Sequence, residues 1–172
     1  LDPIDGTKGF LRGQQYAVAL GLVVDGVIRV GVLGCPNLPR SAEDPGGEAG
    51  CIFAAVRGEG AEQFDLEDEA GVPVRVTSVR DPREASFCES VESGHTAHGR
   101  AGRIAEKLGV EAAPYRIDSQ CKYAAIARGD ASIYLRLPTR PGYEERIWDH
   151  AAGCIVVEEA GGRVTDIHGE PL

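Results

Sequence analysis

Two apolar runs on either side of Asp25-Gly26 dominate the first part of the chain. Residues Tyr16–Val24 are almost all apolar or small, and β-branched residues recur through Val27–Cys35. An Asp-Gly step favours positive φ at both central positions of a two-residue turn, which is the turn that joins neighbouring antiparallel strands. The pattern therefore predicts a long β-hairpin of two buried strands.

A second hairpin follows, after a segment rich in proline and glycine. Cys51–Arg57 and Ala61–Leu66 flank a Gly58-Glu59-Gly60 turn, and we predict a surface loop over Pro36–Gly50. A short strand is expected at Val74–Val76. The pattern changes after this strand, so we place a domain boundary at about residue 80.

Beyond residue 80, strand-like and helix-like segments alternate, which favours an α/β fold. The predicted strands are Phe87–Glu89, Tyr115–Asp118, Ala131–Leu135 and Arg163–Asp166. The predicted helices are Gly99–Leu108, Ser119–Arg128 and Asp149–Ala160. We expect residues 1–80 to form the end of a first α+β domain and residues 81–172 to belong to a second α/β domain.

The charge balance argues against one class of partner. The 172 residues carry 18 Lys and Arg against 27 Asp and Glu, a formal net charge of −9, with no basic block. A protein that binds a nucleic acid polymer by neutralising its phosphates is therefore not expected. No apolar run approaches the roughly 18 residues of a membrane span, so no membrane partner is expected either.

The five cysteines are scattered along the chain, are odd in number and form no C-x-x-C pair. This usage is typical of a reducing compartment, and it predicts a cytoplasmic protein. We interpret each cysteine as a small buried apolar residue, and we expect no zinc site.

Asp2 and Asp5 flank Pro3-Ile4, and Asp5 runs directly into Gly6-Thr7. If Asp2 closes a strand and Gly6 opens a helical turn, the two carboxylates converge, and the free N–H groups after Asp5 can receive an anion. Hard oxygen ligands beside an anion-accepting turn are what magnesium and phosphate require. The alternative is an Asp-Gly turn in which Asp5 only caps a helix.

A second acidic position opens the predicted last helix. Asp149 stands just before an apolar run, where it serves either as a helix N-cap or as a further metal ligand. Its neighbour His150 is interpreted as a core or surface imidazole, because magnesium prefers oxygen ligands.

A third cluster of polar residues lies in the second half of the chain. Ser119 and Lys122 are three positions apart, so they would share one face of the helix that they open, and His95 precedes them. Arg136 stands between two leucines of a predicted strand, where a guanidinium requires either a salt-bridge partner or an anionic ligand. Lys122 is alternatively an ordinary solvated lysine.

Two motifs, taken together, resemble a known family. Asp2–Thr7 resembles the first signature of the lithium-sensitive inositol monophosphatase superfamily, and Trp148–Gly153 followed by Glu158–Gly162 resembles the second. Within that superfamily, Lys8–Gly13 (KGFLRG) looks like the 3'(2'),5'-bisphosphate nucleotidase branch, since inositol monophosphatases usually carry Thr-Asn-Phe after Gly-Thr.

The resemblance implies a layered α/β sandwich of the inositol monophosphatase and fructose-1,6-bisphosphatase type, present here in part. It implies a lithium-sensitive, Mg²⁺-dependent phosphatase of sulfur metabolism that converts the small molecule 3'-phosphoadenosine 5'-phosphate to AMP. Two or three metal ions would be held by Asp2, Asp5, Asp149 and the carbonyl of Ile4, and Thr7 would orient the attacking water. The implied substrate-binding residues are Gly6, Thr7, His95, Ser119, Lys122, Arg136 and Asp149.

The resemblance also implies residues outside this chain, because the family's metal-binding Glu and a second water-activating Asp precede the first motif. We therefore expect the chain to be part of a longer protein, called the parent protein below, and expect residues 1–172 alone to turn over little substrate. Two alternatives remain: an inositol mono- or polyphosphate phosphatase, and a catalytically inactive relative that binds nucleotide.

Overall fold

The first predicted hairpin is present within a six-stranded antiparallel sheet. The computed structural model describes residues 1–67, 70–91, 98–137, 142 and 144–172, and the strands of this sheet follow chain order. They are β1 (Asp2–Asp5), β2 (Ala17–Val24), β3 (Val27–Pro39), β4 (Ala49–Val56), β5 (Gly60–Asp65) and β6 (Val72–Pro73). Asp25 and Gly26 form the β2–β3 turn with φ of 52° and 77°, as the Asp-Gly step predicts.

The predicted loop over 36–50 is wrong at both of its ends. β3 runs on to Pro39, which pairs with Ala49 at the start of β4. Arg40 N–H then donates to the Glu48 carbonyl at 2.9 Å. The register of the β3–β4 pair shifts between Cys35 and Pro39, and such an irregularity accommodates proline because no ladder donor is required there.

The strand predicted at Val74–Val76 is also misplaced, since β6 is Val72–Pro73. Val74 N–H still donates to the Ala61 carbonyl at 3.0 Å, but Val76 N–H donates to the carbonyl of Ala160 at 3.1 Å. The chain therefore leaves the edge of the sheet here and binds the end of the last helix instead.

The second half of the chain forms a small parallel sheet and helices. The sheet, in the order β8-β7-β9, contains β7 (Phe87–Glu89), β8 (Tyr115–Arg116) and β9 (Ile133–Tyr134). The helices of the described residues are α1 (Thr7–Leu11), α2 (His98–Leu108), α3 (Cys121–Arg128) and α4 (Ala151–Glu159). β8 and β9 are shorter than the strands predicted at 115–118 and 131–135, because their pairing with the three-residue β7 covers only two positions each.

Two predicted helices begin later than expected, and one predicted strand is absent. Ser119 has a left-handed φ of 64°, so α3 starts only at Cys121. A separate 3-10 turn, Ile147–Asp149, precedes α4. Residues 163–166 form no strand. Instead, the Asp166 carboxylate accepts the backbone N–H groups of residues 168 and 170 at 2.8 and 2.9 Å, which closes a turn.

Helices α3 and α4 lie between the two sheets. α4 packs on β2, β3, β4 and β5, and α3 contacts α4 as well as β7 and β9. Fully buried side chains of this layer and the large sheet, including Leu33, Phe53 and Ile155, belong to one core that also contains residues of the second predicted domain. The boundary at residue 80 stays a prediction.

All five cysteines are buried and free, which confirms their interpretation as small core residues. Of the helices in the described part of the chain, none has the length and apolar character needed to cross a bilayer. The face of β2 turned away from α4 carries apolar side chains that are 39–50% exposed: Val18, Leu20, Leu22 and Val24.

Candidate metal and phosphate site

Three carboxylates converge where β1 meets the 3-10 turn before α4. One oxygen atom from each of Asp2, Asp5 and Asp149 lies within 4.8 Å of the other two. Asp2 and Asp5 lie on either side of a register shift in the β1–β2 pair, and the turn that carries Asp149 contacts both of these strands. Asp2 opens its strand rather than closing it. The fold thus brings Asp149 close to two acidic residues that lie 147 and 144 positions before it in the chain.

The donor set fits a small, hard divalent cation. Oxygen atoms on opposite sides of Mg²⁺ lie roughly 4.2 Å apart, twice the ~2.1 Å bond. The observed separation of 4.8 Å or less therefore requires only small side-chain movements. Ile4 lies between the two strand carboxylates and is 40% exposed, and its N–H donates to Asp2 Oδ1 at 3.2 Å.

Neither Asp5 nor Asp149 caps the helix that follows it. The N-cap of α1 is Gly6, that of α4 is His150, and neither helix start has a side-chain capping bond. Asp149 Oδ2 instead accepts the N–H of Arg146 at 2.9 Å. Neither aspartate is therefore the N-cap of α1 or α4, although the Asp149 carboxylate takes part in the capping box of the 3-10 turn Ile147–Asp149.

Burial raises the pKa of the Asp5 carboxyl above its ordinary value. The N–H of Gln120, which donates to Asp5 Oδ2, and the positive charge of Lys122 act in the opposite direction, and the Asp2 carboxylate adds to the increase. Asp5 is therefore costly to hold as an isolated anion, and a cation between the carboxylates would remove that cost.

Gly6 and Thr7 join the carboxylates to a cavity of about 270 Å³. Gly6 has a φ of +83°, and a Cβ atom on it would lie 2.6 Å from the Cβ of Ser119. Thr7 is the first residue of α1 and lines the cavity. The missing side chain at position 6 allows the turn before α3 to approach the first motif.

Cationic groups line the same cavity. Lys122 and Arg136, together with Ser119, are called the cationic wall below, and Asp5, Asp118 and Asp149 line the cavity as well. Ser119 lies before α3 rather than on the same helix face as Lys122, because its left-handed backbone ends the preceding extended segment. The cavity therefore presents groups for a metal ion and groups for an anion across one space.

Lys122 is a buried lysine, 4% exposed, rather than a solvated one. Burial lowers the pKa of its ammonium group, and the nearby Cys88 and Asp5 act against that decrease. Its Nζ lies 5.4 Å from the ring centroid of Tyr134, and in the described part of the chain no carboxylate forms an ion pair with it. A buried ammonium group without such a partner is suited to an anionic ligand.

Arg136 follows β9 and has a protein partner. Its Nε and Nη2 donate to the two carboxylate oxygens of Glu145 at 3.1 and 2.5 Å. Because the guanidinium also lines the cavity, the salt bridge and a role in ligand binding do not exclude one another.

His150 is a half-buried imidazole, in agreement with its interpretation as a structural residue. Its Nδ1 lies 2.8 Å from the hydroxyl of Tyr123, and burial lowers its pKa. This contact ties the start of α4 to α3.

Most of the residues that the sequence singles out meet at this site, and one cannot be placed. His95 lies outside the described residues. Three residues of the site are not among those predicted from the sequence: Asp118 and Tyr134, which line the cavity, and Gln120, whose N–H binds Asp5. Asp118 stands directly before Ser119, and an acidic residue next to a candidate ligand-binding serine is the signal that could have found it. A second cavity, of about 320 Å³, lies under residues 76–85 and does not adjoin the carboxylates.

Comparison with known proteins is consistent with this geometry. The chain matches the inositol monophosphatase family over residues 1–172. It is 54% identical over its whole length to a protein of Oryza sativa named 3'(2'),5'-bisphosphate nucleotidase, and 51% identical to one of the same name in Schizosaccharomyces pombe. It covers 49% and 50% of these two proteins, so the chain spans about half the length of the curated relatives it matches.

Solved structures agree on the fold. Mycobacterium tuberculosis SuhB superposes with a TM-score of 0.72 at 27% sequence identity, over 98% of this chain and 62% of that one. A Thermotoga maritima IMPase superposes with a TM-score of 0.73 at 26% identity, over 99% of this chain and 57% of that one. The predicted α/β sandwich is thereby confirmed, and the chain belongs to the inositol monophosphatase family.

Proposed function

We propose that the parent protein is a divalent-metal-dependent phosphatase that removes the 3'-phosphate of 3'-phosphoadenosine 5'-phosphate and leaves AMP. One observation carries this proposal: a single cavity is lined both by Asp5 and Asp149 of the carboxylate cluster and by the buried Lys122 with Arg136. The first group suits the metal-assisted hydrolysis of one phosphate, and the second suits the binding of another.

Asp2, Asp5 and Asp149 would hold the metal, with the main-chain carbonyl of Ile4 as a neutral oxygen ligand. Mg²⁺ is one of the hard cations that an all-oxygen donor set suits, and we propose it as the bound ion. When bound, such ions polarise the phosphoryl oxygens and lower the pKa of a coordinated water. Thr7 lines the cavity at the start of α1, where its hydroxyl can orient the water that attacks phosphorus.

Ser119, Lys122 and Arg136 would bind the second phosphate, and His95 would contribute to nucleotide binding. Lys122 would discriminate between substrates with and without a second phosphate, because a substrate without it leaves this buried ammonium group unpaired. Arg136 can form a bidentate contact with a phosphate, and its salt bridge to Glu145 holds the planar guanidinium in place.

The names of the relatives support this substrate over an inositol phosphate. The proteins at 44–55% identity to this chain are named as 3'(2'),5'-bisphosphate nucleotidases, one of them as a probable one. An inositol monophosphate has no second phosphate for the cationic wall to bind. We further propose that the parent protein acts in sulfur metabolism, is inhibited by lithium and is cytoplasmic, which the same assay with Li⁺ and imaging of a tagged protein would test.

The test is phosphate release by the parent protein, with and without Mg²⁺. The substrates are 3'-phosphoadenosine 5'-phosphate, AMP and inositol 1-phosphate. We expect Mg²⁺-dependent release from the bisphosphate alone, lost in Asp149→Asn and retained in Asp25→Asn, a control in the exposed β2–β3 turn. A preference for inositol 1-phosphate would overturn the substrate. Binding of the bisphosphate without release would favour the inactive nucleotide-binding alternative.

A further inference from the structure

Arg12 lies outside the cavity but is tied to the cavity wall through Asp118. Its Nη2 forms an ion pair with Asp118 Oδ2, and its Nε donates to Gln14 Oε1 at 2.6 Å. The Asp118 side chain is only 8% exposed. The pair joins the end of α1, whose first residue is Thr7, to the turn that carries Ser119.

Asp118 also binds the small parallel sheet. Its second oxygen, Oδ1, accepts the N–H of Val91, just beyond β7, at 3.1 Å. One buried carboxylate therefore connects the end of α1, the end of β7 and the segment before α3. Without the Arg12 guanidinium, this carboxylate would lose its cation while remaining buried, and the turn would shift to reach water.

The turn after Asp118 is bound to the metal motif, Asp2–Thr7, by one hydrogen bond and is closed by another within itself. Cys121 N–H donates to Ser119 Oγ at 3.2 Å, and Gln120 N–H donates to Asp5. Gly9 lies beside Asp118, since a Cβ atom there would make an ordinary van der Waals contact with the Cβ of Asp118, at 3.4 Å. Asp5 at one end of the turn and Arg12 at the other thus set its distance from the carboxylate cluster.

We infer that Arg12 is a positioning residue that acts through Asp118 to place Ser119 and Lys122, and so sets the preference for a substrate with a second phosphate. The inference rests on the proposed function. Arg12 is not among the residues that line the cavity, whereas Asp118, Ser119 and Lys122 are. An error in the position of Ser119 and Lys122 acts first on a phosphate that they contact, while Asp5 and Thr7 keep their places in β1 and α1.

The experiment uses the parent protein with three variants. Arg12→Ala removes the pair, and Arg12→Lys keeps its charge. Arg57→Ala is a matched control, because Arg57 pairs with Glu158 at 2.6 Å and is 33% exposed, against 32% for Arg12. The measurements are kcat and KM for 3'-phosphoadenosine 5'-phosphate and for adenosine 3'-monophosphate, together with the thermal midpoint of each variant.

We expect Arg12→Ala to raise KM for the bisphosphate roughly ten- to hundredfold and to change kcat/KM for the monophosphate by less than about threefold. Arg12→Lys should recover a large part of the loss, and Arg57→Ala should change neither substrate preference. An equal loss on both substrates would overturn the inference and leave Arg12 with a structural role only.

Calorimetric binding of the two nucleotides separates this inference from the proposed function. If the wild type binds the bisphosphate more tightly than the monophosphate but releases no phosphate, the proposed reaction is wrong, and the Arg12→Ala affinities still test the positioning role. If the wild type does not distinguish the two nucleotides in binding or in turnover, the inference is overturned together with the proposed second-phosphate site.

Discussion

Gly6 of the metal motif and Ser119 of the cationic wall lie in contact with one another. A Cβ atom on Gly6 would come within 2.6 Å of Ser119 Cβ and 3.3 Å of Ser119 Cα, and Gly6 also has a φ of +83°. We expect Gly6→Ala in the parent protein to lower stability by roughly 2–4 kcal/mol, from strain and displacement of the turn. Turnover should fall with it, because Asp5 and Ser119 would move apart. Thermal unfolding and phosphate release measure the two effects.

Gly13 provides the matched control for this substitution. It also has a left-handed φ, +66°, but a Cβ atom there would meet nothing within 4 Å. Gly13→Ala should therefore cost only the backbone strain, about 1 kcal/mol, and leave turnover unchanged. Equal effects of the two substitutions would show that backbone conformation, and not the contact with Ser119, determines the result at position 6.

The carboxylate cluster makes a prediction about metal and stability. Because oxygen atoms of Asp2, Asp5 and Asp149 lie within 4.8 Å of one another, their charges repel when no cation is bound. We expect Asp149→Asn to have a higher thermal midpoint than the wild type in EDTA. We also expect Mg²⁺ to raise the thermal midpoint of the wild type, and to raise that of Asp149→Asn by less. A wild type whose midpoint does not respond to Mg²⁺ would contradict the metal site.

The sequence alone predicts the hairpins well because their signals are local. The Asp25-Gly26 turn is encoded by two residues, and both have the positive φ that the sequence predicts. The strand expected at 163–166 is absent for the opposite reason. A strand requires a neighbour, and in the described part of the chain Asp166 binds its own following N–H groups instead.

In the site, too, features encoded by neighbouring residues can be predicted from the sequence, and contacts between distant segments cannot. The acidic residues and Lys122 can be chosen from residue type and motif spacing. The burial of Lys122, the contact of Gln120 with Asp5 and the Arg12–Asp118 pair depend on segments more than 100 positions apart. No periodicity in the sequence encodes such contacts, and only the packing of α3 between the sheets creates them.

Gly153, within the second motif, has a packing role that a substitution can isolate. A Cβ atom on it would lie 2.2 Å from the Tyr123 ring, where α4 crosses α3. Gly153→Ala should destabilise the parent protein by about 2–3 kcal/mol, since the ring has to move. The helical Gly102 meets nothing within 4 Å, so Gly102→Ala should instead stabilise it by about 0.5–1 kcal/mol. Chemical denaturation of both variants measures these opposite signs.

The last prediction concerns the cost of keeping Lys122 buried. Because burial lowers its pKa, the unfolded chain binds more protons than the folded one between that lowered pKa and the ordinary value of 10.5, so this group makes stability rise with pH across that window. Below the lowered pKa the penalty is fully present. We therefore expect Lys122→Met to stabilise the metal-free parent protein by about 1–2 kcal/mol at pH 7, with loss of bisphosphate affinity, and we expect the gain to shrink as the pH approaches 10.5.

The exposed Lys107 supplies the control, since Lys107→Met should give no such gain at any pH. Denaturant unfolding in EDTA at several pH values measures the free energy of unfolding of each variant. A Lys122→Met variant that is less stable than the wild type at pH 7 would contradict the prediction. It would mean that the protein itself already stabilises the ammonium group, without a bound phosphate.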